Sequence, residues 1–129
     1  MDNRKLIDDF EGGVIPPDSF HHGDHVHLAF AYLCEYPFFA ALERCTGALK
    51  RFASANGQPQ LYNDTITCAY FFLVRERMAR DVLTDWQEFA RLNPDLLNWK
   101  GGILSRYYQD ATLRSDLARN VFVFPDRFP

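Results

Sequence analysis

One uninterrupted apolar segment limits the folds open to this chain more than any other feature. Residues 68–74 form a run of seven positions without a charge, far short of the roughly 20 apolar residues that a membrane-spanning helix needs. A run of this kind is typical of the most buried element of a folded domain. The polar, helix-forming residues 75–80 that follow favour a helix, and a strand over 66–74 is the alternative, because aromatic and β-branched residues are frequent there.

Apolar residues spaced three and four apart predict further helices on both sides of this segment. We expect long helices that start between residues 19 and 22 and end at 36, from 37 to 55, and from 63 or 64 to 80. Short helices are predicted over 3–11, 84–92, 94–99, 103–108 and 112–119. The apolar tail, residues 121–125, is expected to pack across the helices in an extended form. The fold class is therefore all-α: one domain over residues 1–129, a compact bundle of three long and several short helices.

Residues with known positional preferences suggest where these helices begin. Pro37 suits the first position of a helix, and Asn63 or Asp64 is able to cap the buried helix at its start. The spacing of Thr84 and Gln87 has the form of a capping box. The pair Gly101-Gly102 is expected to interrupt the helical pattern.

Charge and its distribution bear on whether the chain binds nucleic acid. The net charge is -3, the isoelectric point is near 5.7, and no basic run is longer than Lys50-Arg51, which argues against a nucleic-acid scaffold. Arg75, Arg77 and Arg80 alternate with acidic residues and are interpreted as a solvated helix face.

The start of the chain and its cysteines bear on location. The first residues are too polar for a signal peptide, and no apolar run is long enough for a membrane span. Cys34, Cys45 and Cys68 are odd in number and widely spaced in apolar surroundings. We therefore expect reduced, buried thiols and a cytoplasmic protein.

All four histidines fall between positions 21 and 27, where a helix is predicted to begin. Imidazole is a common transition-metal ligand and a proton carrier near neutral pH. On a helix, His25 shares a face with His21 and with His22, whereas His27 is expected at the surface and Asp24 as a cap or a supporting group. The positive end of the helix dipole is expected to lower the pKa of these imidazoles and keep them neutral.

Two histidines do not complete a metal site, because a catalytic metal needs at least three protein ligands and an open position. The polar segment 62–67, at the start of the most buried helix, is the best source of a third. Asp64 is the candidate, giving a set of His22, His25 and Asp64 for a divalent metal such as zinc, iron or manganese. The alternative is that Asn63 or Asp64 only caps the helix. The two roles do not exclude each other, because Asn63 can cap the helix while Asp64 binds the metal.

The same segments resemble a family of small, largely uncharacterised bacterial proteins. The likeness covers roughly residues 20–126 and includes a Phe-x-His-x-x-His motif, a Tyr-His-Glu-Thr-Ile-Thr-like segment and a closing motif. These are matched here by Phe20, His22 and His25; by residues 62–67; and by Leu113, Ser115, Ala118 and Arg119 with Pro125-Asp126. The resemblance implies that His22 and His25 are site positions, and that Asn63 and Asp64 replace a histidine and a glutamate. DinB-like metal-binding bundles offer a fold-level analogy.

Three functions are compatible with these patterns. The first is a small metal-dependent enzyme that acts on a small metabolite through a metal-bound water or through proton transfer. The second is a non-catalytic module that binds a small molecule near Tyr62, Asn63, Thr67, Trp86 and Tyr107, with Tyr70 also in the pocket. The third is a structural or interaction protein whose exposed aromatic residues form a homodimer. The sequence leaves open whether the protein is an enzyme.

Overall fold

A computed structural model describes residues 2–100 and 102–127 of the chain. The helices are α1 (Asn3–Glu11), α2 (His22–Glu35), α3 (Phe38–Ala55), α4 (Asp64–Asp81), α5 (Trp86–Leu92), α6 (Pro94–Leu97), α7 (Asp110–Leu113) and α8 (Asp116–Asn120). Three short 3-10 turns, at Pro17–Ser19, Pro59–Leu61 and Ile103–Arg106, connect them. Within the described ranges there is no β-strand, so the all-α prediction is confirmed and the strand alternative for 66–74 is wrong. Gly101 of the predicted break lies outside the described residues.

The core lies between α2 and α4, as the apolar segment predicts. Helix α2 contacts α1, α3 and α4, and its middle turns are almost completely buried. The buried side chains of α4 include Thr65, Cys68, Ala69, Tyr70, Phe71 and Val74. Each fully buried Phe, Leu or Val side chain contributes roughly 1.5–3 kcal/mol relative to an exposed one, so the packing of α2 on α1, α3 and α4 is a large part of the stability. Across the described part of the chain, no helix combines the length and apolarity needed to cross a bilayer.

Side-chain caps fix several helix starts, although not all at the predicted residues. Asn63 caps α4, because its Oδ1 accepts a hydrogen bond from the Ile66 amide at 2.9 Å. Asp85, not Thr84, caps α5 by accepting from the Glu88 amide at 3.0 Å. The capping box predicted at Thr84 is therefore one residue out of place, since a carboxylate is as good a cap as a hydroxyl. Pro37 precedes the first turn of α3 instead of starting it.

One arginine of the predicted solvated face is an internal link instead. Arg77 donates to Asn93 Oδ1 at 2.7 Å and to Asp95 Oδ2 at 2.8 Å. Asn93 is 2% exposed, so the bond satisfies a polar group that water does not reach. Arg77 thereby joins α4 to the start of α6.

The C-terminal tail is held against the start of α4 by a single hydroxyl. Thr65 is fully buried; its Oγ1 donates to the Val121 carbonyl at 2.9 Å and accepts from the Val123 amide at 3.0 Å. Tyr108 adds a bond from its hydroxyl to the Val123 carbonyl at 2.7 Å. Residues 122–127 have no regular secondary structure, which confirms the prediction of an extended, packed tail.

Candidate functional site

The histidine cluster begins at a capped helix start. The His21 amide donates to Asp24 Oδ2 at 2.9 Å, which confirms Asp24 as a cap. His21 itself is exposed. This end of α2 presents His22 and His25 to different neighbours.

His22 is half-buried between α4 and the segment after α6. Its Nε2 lies 2.9 Å from the Leu96 carbonyl, and because a carbonyl only accepts, Nε2 carries the proton and Nδ1 is the one nitrogen left for a metal. The imidazole also packs against the Tyr70 and Trp99 rings, with centres 4.7 and 5.1 Å away. Burial lowers the pKa of His22 below its ordinary value.

His25 packs on an aromatic cluster at the other side of the helix start. Its ring centre is 4.4 Å from that of Phe20, which in turn contacts Phe10 and Phe52. Desolvation by these neighbours, and then the charge of His22, lower the pKa of His25, although the residue as a whole is exposed. The predicted lowering of histidine pKa is found, but its largest cause is desolvation and not the helix dipole.

Asp64 has a partner in its own segment. Its Oδ1 accepts a hydrogen bond from the Tyr62 hydroxyl at 2.8 Å, and burial together with this bond raises the pKa of Tyr62. The Lys50 ammonium lies over the Tyr62 ring, 5.3 Å from its centre. The residue before Asp64 is also engaged: the side-chain amide of Asn63 donates to the Leu113 carbonyl at 2.7 Å, while the side-chain oxygen of Asn63 caps α4.

His22, His25 and Asp64, the three predicted metal ligands, are not arranged as a metal site in the described part of the chain. Among residues 2–100 and 102–127, no group of three or more His, Cys, Asp or Glu side chains is arranged so that it could hold a metal ion. His22 faces Leu96, His25 lies on Phe20, and Asp64 is engaged by Tyr62. Binding of zinc, iron or manganese stays a prediction for which these contacts provide no ligand set.

The five predicted ligand-binding residues belong to three different segments of the chain. Tyr62, Asn63 and Thr67 lie at the start of α4, whereas Trp86 begins α5 and Tyr107 follows the third 3-10 turn. The Tyr107 carbonyl accepts from the amides of Asp126 and Arg127. Trp86 lines a polar cleft of about 510 Å³ with Asp2, Asn3, Arg4, Glu35, Thr84, Asp85 and Gln87, and the other four do not.

Contrary to the surface position expected for it, His27 is half-buried and stacked on Trp86. The two ring centres are 4.2 Å apart, and its Nε2 is buried without a hydrogen-bond partner among the described residues. Burial lowers the pKa of His27. The sequence held no local sign of this contact, because Trp86 is far along the chain.

A row of five phenylalanine rings, exposed at both ends and in the middle, is a feature that the sequence patterns did not locate. We call it the phenylalanine face; it runs Phe39, Phe38, Phe72, Phe122, Phe124, with successive ring centres 5.1, 6.1, 5.6 and 5.7 Å apart. Its two ends are 80% exposed and the central ring is 37% exposed. The doublet at residues 38–39 and the alternation in the tail were its only sequence signals.

The phenylalanine face continues into an apolar groove along the second half of α4. The groove has a volume of about 320 Å³ and is lined by Leu33, Tyr36, Pro37, Phe38, Arg75, Met78, Ala79, Val82, Leu83 and Thr84. Arg75 is the one charged residue in that lining. Val82, at the end of α4, is 83% exposed.

Searches with this chain against protein-family models, curated proteins and solved structures find no match. The resemblance to a bacterial family with a Phe-x-His-x-x-His motif therefore stays a prediction.

Proposed function

We propose that this chain is a non-catalytic interaction protein that forms a homodimer through the phenylalanine face. The observation that carries the proposal is the continuity of that face, from Phe39 through Phe72 to Phe124, with both end rings 80% exposed. Isolated apolar side chains on a surface are ordinary. Contiguous exposed apolar patches mark interaction sites far more often.

The exposed part of the face supplies about half the area that a stable interface buries on each partner. A phenylalanine side chain presents about 200 Å², so the two end rings and the partly exposed central ring supply on the order of 400 Å² of apolar surface. A standard stable interface buries about 800 Å² per partner, with an aromatic centre and a polar rim. The phenylalanine face has the aromatic composition of such a centre. The small net charge of -3 opposes self-association only weakly.

The other two functions have less support. A metal-dependent enzyme needs three ligands around an open position, and His22, His25 and Asp64 each have a different neighbour. A small-molecule pocket needs its lining residues to converge, and the cleft that Trp86 lines includes neither Tyr62 nor Asn63.

Sedimentation equilibrium over about 1 µM to 1 mM, the affinity range of weak to moderate complexes, tests the proposal. We expect a concentration-dependent dimer for the natural chain and at least a tenfold weaker one for Phe72→Ser. Leu61→Ser is the matched control, because Leu61 is 67% exposed and lies outside the phenylalanine face and its groove. Far-UV circular dichroism checks that each variant is folded. A natural chain that stays monomeric over the whole range contradicts the proposal.

A further inference from the structure

We infer that Asp126 is a positioning residue of the phenylalanine face, which fixes the far end of the C-terminal tail and so holds the Phe124 ring in one exposed place. The inference rests on the proposed homodimer and adds how a single copy prepares its exposed terminal ring for pairing. Three observations carry it: an anchor before Phe124, an anchor after it, and the short connection between the two.

The first anchor lies just before Phe124. The Thr65 hydroxyl donates to the Val121 carbonyl and accepts from the Val123 amide. The Tyr108 hydroxyl donates to the Val123 carbonyl at 2.7 Å. Both hydroxyls come from buried residues, since Thr65 is 0% and Tyr108 is 2% exposed. The last residues of most domains are poorly ordered unless they are tied down, and these bonds tie the tail to the core.

The second anchor centres on Asp126. Its carboxylate accepts hydrogen bonds from the Gln109 amide at 2.9 Å and from the Thr112 hydroxyl. The backbone amides of Asp126 and Arg127 both donate to the Tyr107 carbonyl, at 3.0 and 2.9 Å. The Thr112 hydroxyl, followed by the Gln109 amide, lowers the pKa of the Asp126 carboxyl. The acceptor is therefore a charged carboxylate at neutral pH, and its hydrogen bonds are roughly twice as strong as those between neutral groups.

Only Phe124 and Pro125 separate the two anchors. A proline ring fixes its own φ at about −65°, and the residue before a proline is restricted to extended conformations. Phe124 therefore has little backbone freedom between its tied neighbours. Its ring contacts Phe122, with ring centres 5.7 Å apart, and is 80% exposed. The bonds on either side of Phe124, and not burial, hold this ring in place.

A fixed exposed ring favours association. Binding costs conformational freedom when side chains and loops become ordered at an interface, and a segment that is already ordered avoids that cost. Phenylalanine is also among the residues enriched at interfaces. Asp126 is itself exposed, so replacing it leaves the buried core unchanged. The role of its carboxylate is therefore to position Phe124 through the tail.

Backbone order parameters from NMR relaxation test the position of Phe124 in a single copy. The background is Phe39→Ser, because Phe39 is 80% exposed at the other end of the face and its loss weakens pairing without changing the tail. We expect an order parameter of about 0.85 at Phe124, as in rigid backbone, and a fall below about 0.6 when Asp126→Ala is added. Asp126→Asn, which keeps one acceptor oxygen, should give a value between these two. Asp110→Ala is the matched control, because this exposed carboxylate pairs with Arg114 at 2.6 Å.

Sedimentation equilibrium of the same changes in the otherwise natural chain tests the effect on pairing. We expect Asp126→Ala to weaken the dimer at least tenfold and Asp126→Asn to weaken it less. Asp110→Ala should leave the dimer unchanged. Far-UV circular dichroism checks that each variant is folded.

The outcomes separate this inference from the proposed function. A low order parameter at Phe124 in the Phe39→Ser background, or one that Asp126→Ala leaves unchanged, overturns the positioning role and leaves the homodimer standing. A tail that loosens while the dimer keeps its affinity overturns the need for a fixed Phe124. A natural chain that is monomeric in sedimentation overturns the homodimer, and the order parameters then still decide whether Asp126 fixes the tail.

Discussion

The imidazole of His27 lies flat on the indole of Trp86, with ring centres 4.2 Å apart and ring planes 6° from parallel. This stack joins α2 to α5 and encloses the imidazole Nε2, which has no hydrogen-bond partner within the described ranges. A charged imidazolium is costly in such a position, because burial penalises the charged form. Protonation of His27 therefore opposes the stack that holds it.

Stability should fall in mild acid. The pKa values of His22, His25 and His27 are all lowered from 6.5, mainly by desolvation, so below pH 6.5 the unfolded chain takes up protons that the folded chain does not. The free energy of unfolding is expected to be constant above about pH 7 and to decrease as the pH falls from 6.5 towards 4. Urea unfolding at a series of pH values measures this dependence. A curve that is flat across that interval would contradict it.

His27→Phe is the variant that isolates one part of this effect. A phenyl ring keeps the stack on Trp86 but has no proton to gain and no unpaired nitrogen. We expect the variant to gain about 1 kcal/mol at pH 7.5 and to show a weaker dependence on pH than the natural chain. A loss of stability at every pH would mean that Nε2 has a partner in solution.

Removing the Thr65 hydroxyl should release the tail. Thr65→Val keeps the shape of the side chain but leaves the Val123 amide without its acceptor, at a cost of about 1–3 kcal/mol. Hydrogen exchange should accelerate at Val123 while α2 keeps its protection. Thr46→Val is the control, because the Thr46 hydroxyl donates to carbonyls of its own helix, those of Leu42 and Glu43. Equal effects of the two changes would refute the role of Thr65.

Metal content distinguishes the predicted ligand set from the contacts found. Given that His22, His25 and Asp64 face different neighbours, we expect far less than one equivalent of zinc, iron or manganese by elemental mass spectrometry after loading and dialysis. The control is the double variant that carries both His22→Ala and His25→Ala. Stoichiometric metal that this double change abolishes would support the metal site instead.

Glycine at the end of α4 should stabilise a single copy. Val82→Gly relieves the left-handed valine at φ 52°, and we expect the free energy of unfolding to rise by about 1 kcal/mol. The measurement is made at a concentration below that of dimer formation. Ala79→Gly is the matched contrast, since a glycine inside the same helix should lower the free energy of unfolding by about 1 kcal/mol. If both variants are less stable than the natural chain, Val82 is not strained.

Local patterns predicted the helices well because the signals lie within each segment. The run at residues 68–74 identified α4 as the buried helix, and the spacing of apolar residues located α2 and α3 to within a residue or two. The tail was predicted to pack because it is too apolar for solvent. Asn63 was one of the two residues predicted to cap α4, and the structure selects it over Asp64.

The candidate site was harder to predict because it depends on contacts between distant segments. Helical spacing shows that His22 and His25 can share a face, but not that the Leu96 carbonyl, 74 residues further on, lies against His22. His27 and Trp86 carry no mutual signal in the sequence. The phenylalanine face combines residues from α3, α4 and the tail, and only the fold brings them together.

The contacts of Thr65 also decide when the phenylalanine face is complete. Thr65 and the Tyr108 hydroxyl hold the tail through Val121 and Val123, so Phe122 and Phe124 join Phe72 only while the tail is docked. A chain whose tail is detached has three of the five rings. In the proposed homodimer, mass action would therefore favour chains with a docked tail and withdraw them from the pool that unfolds.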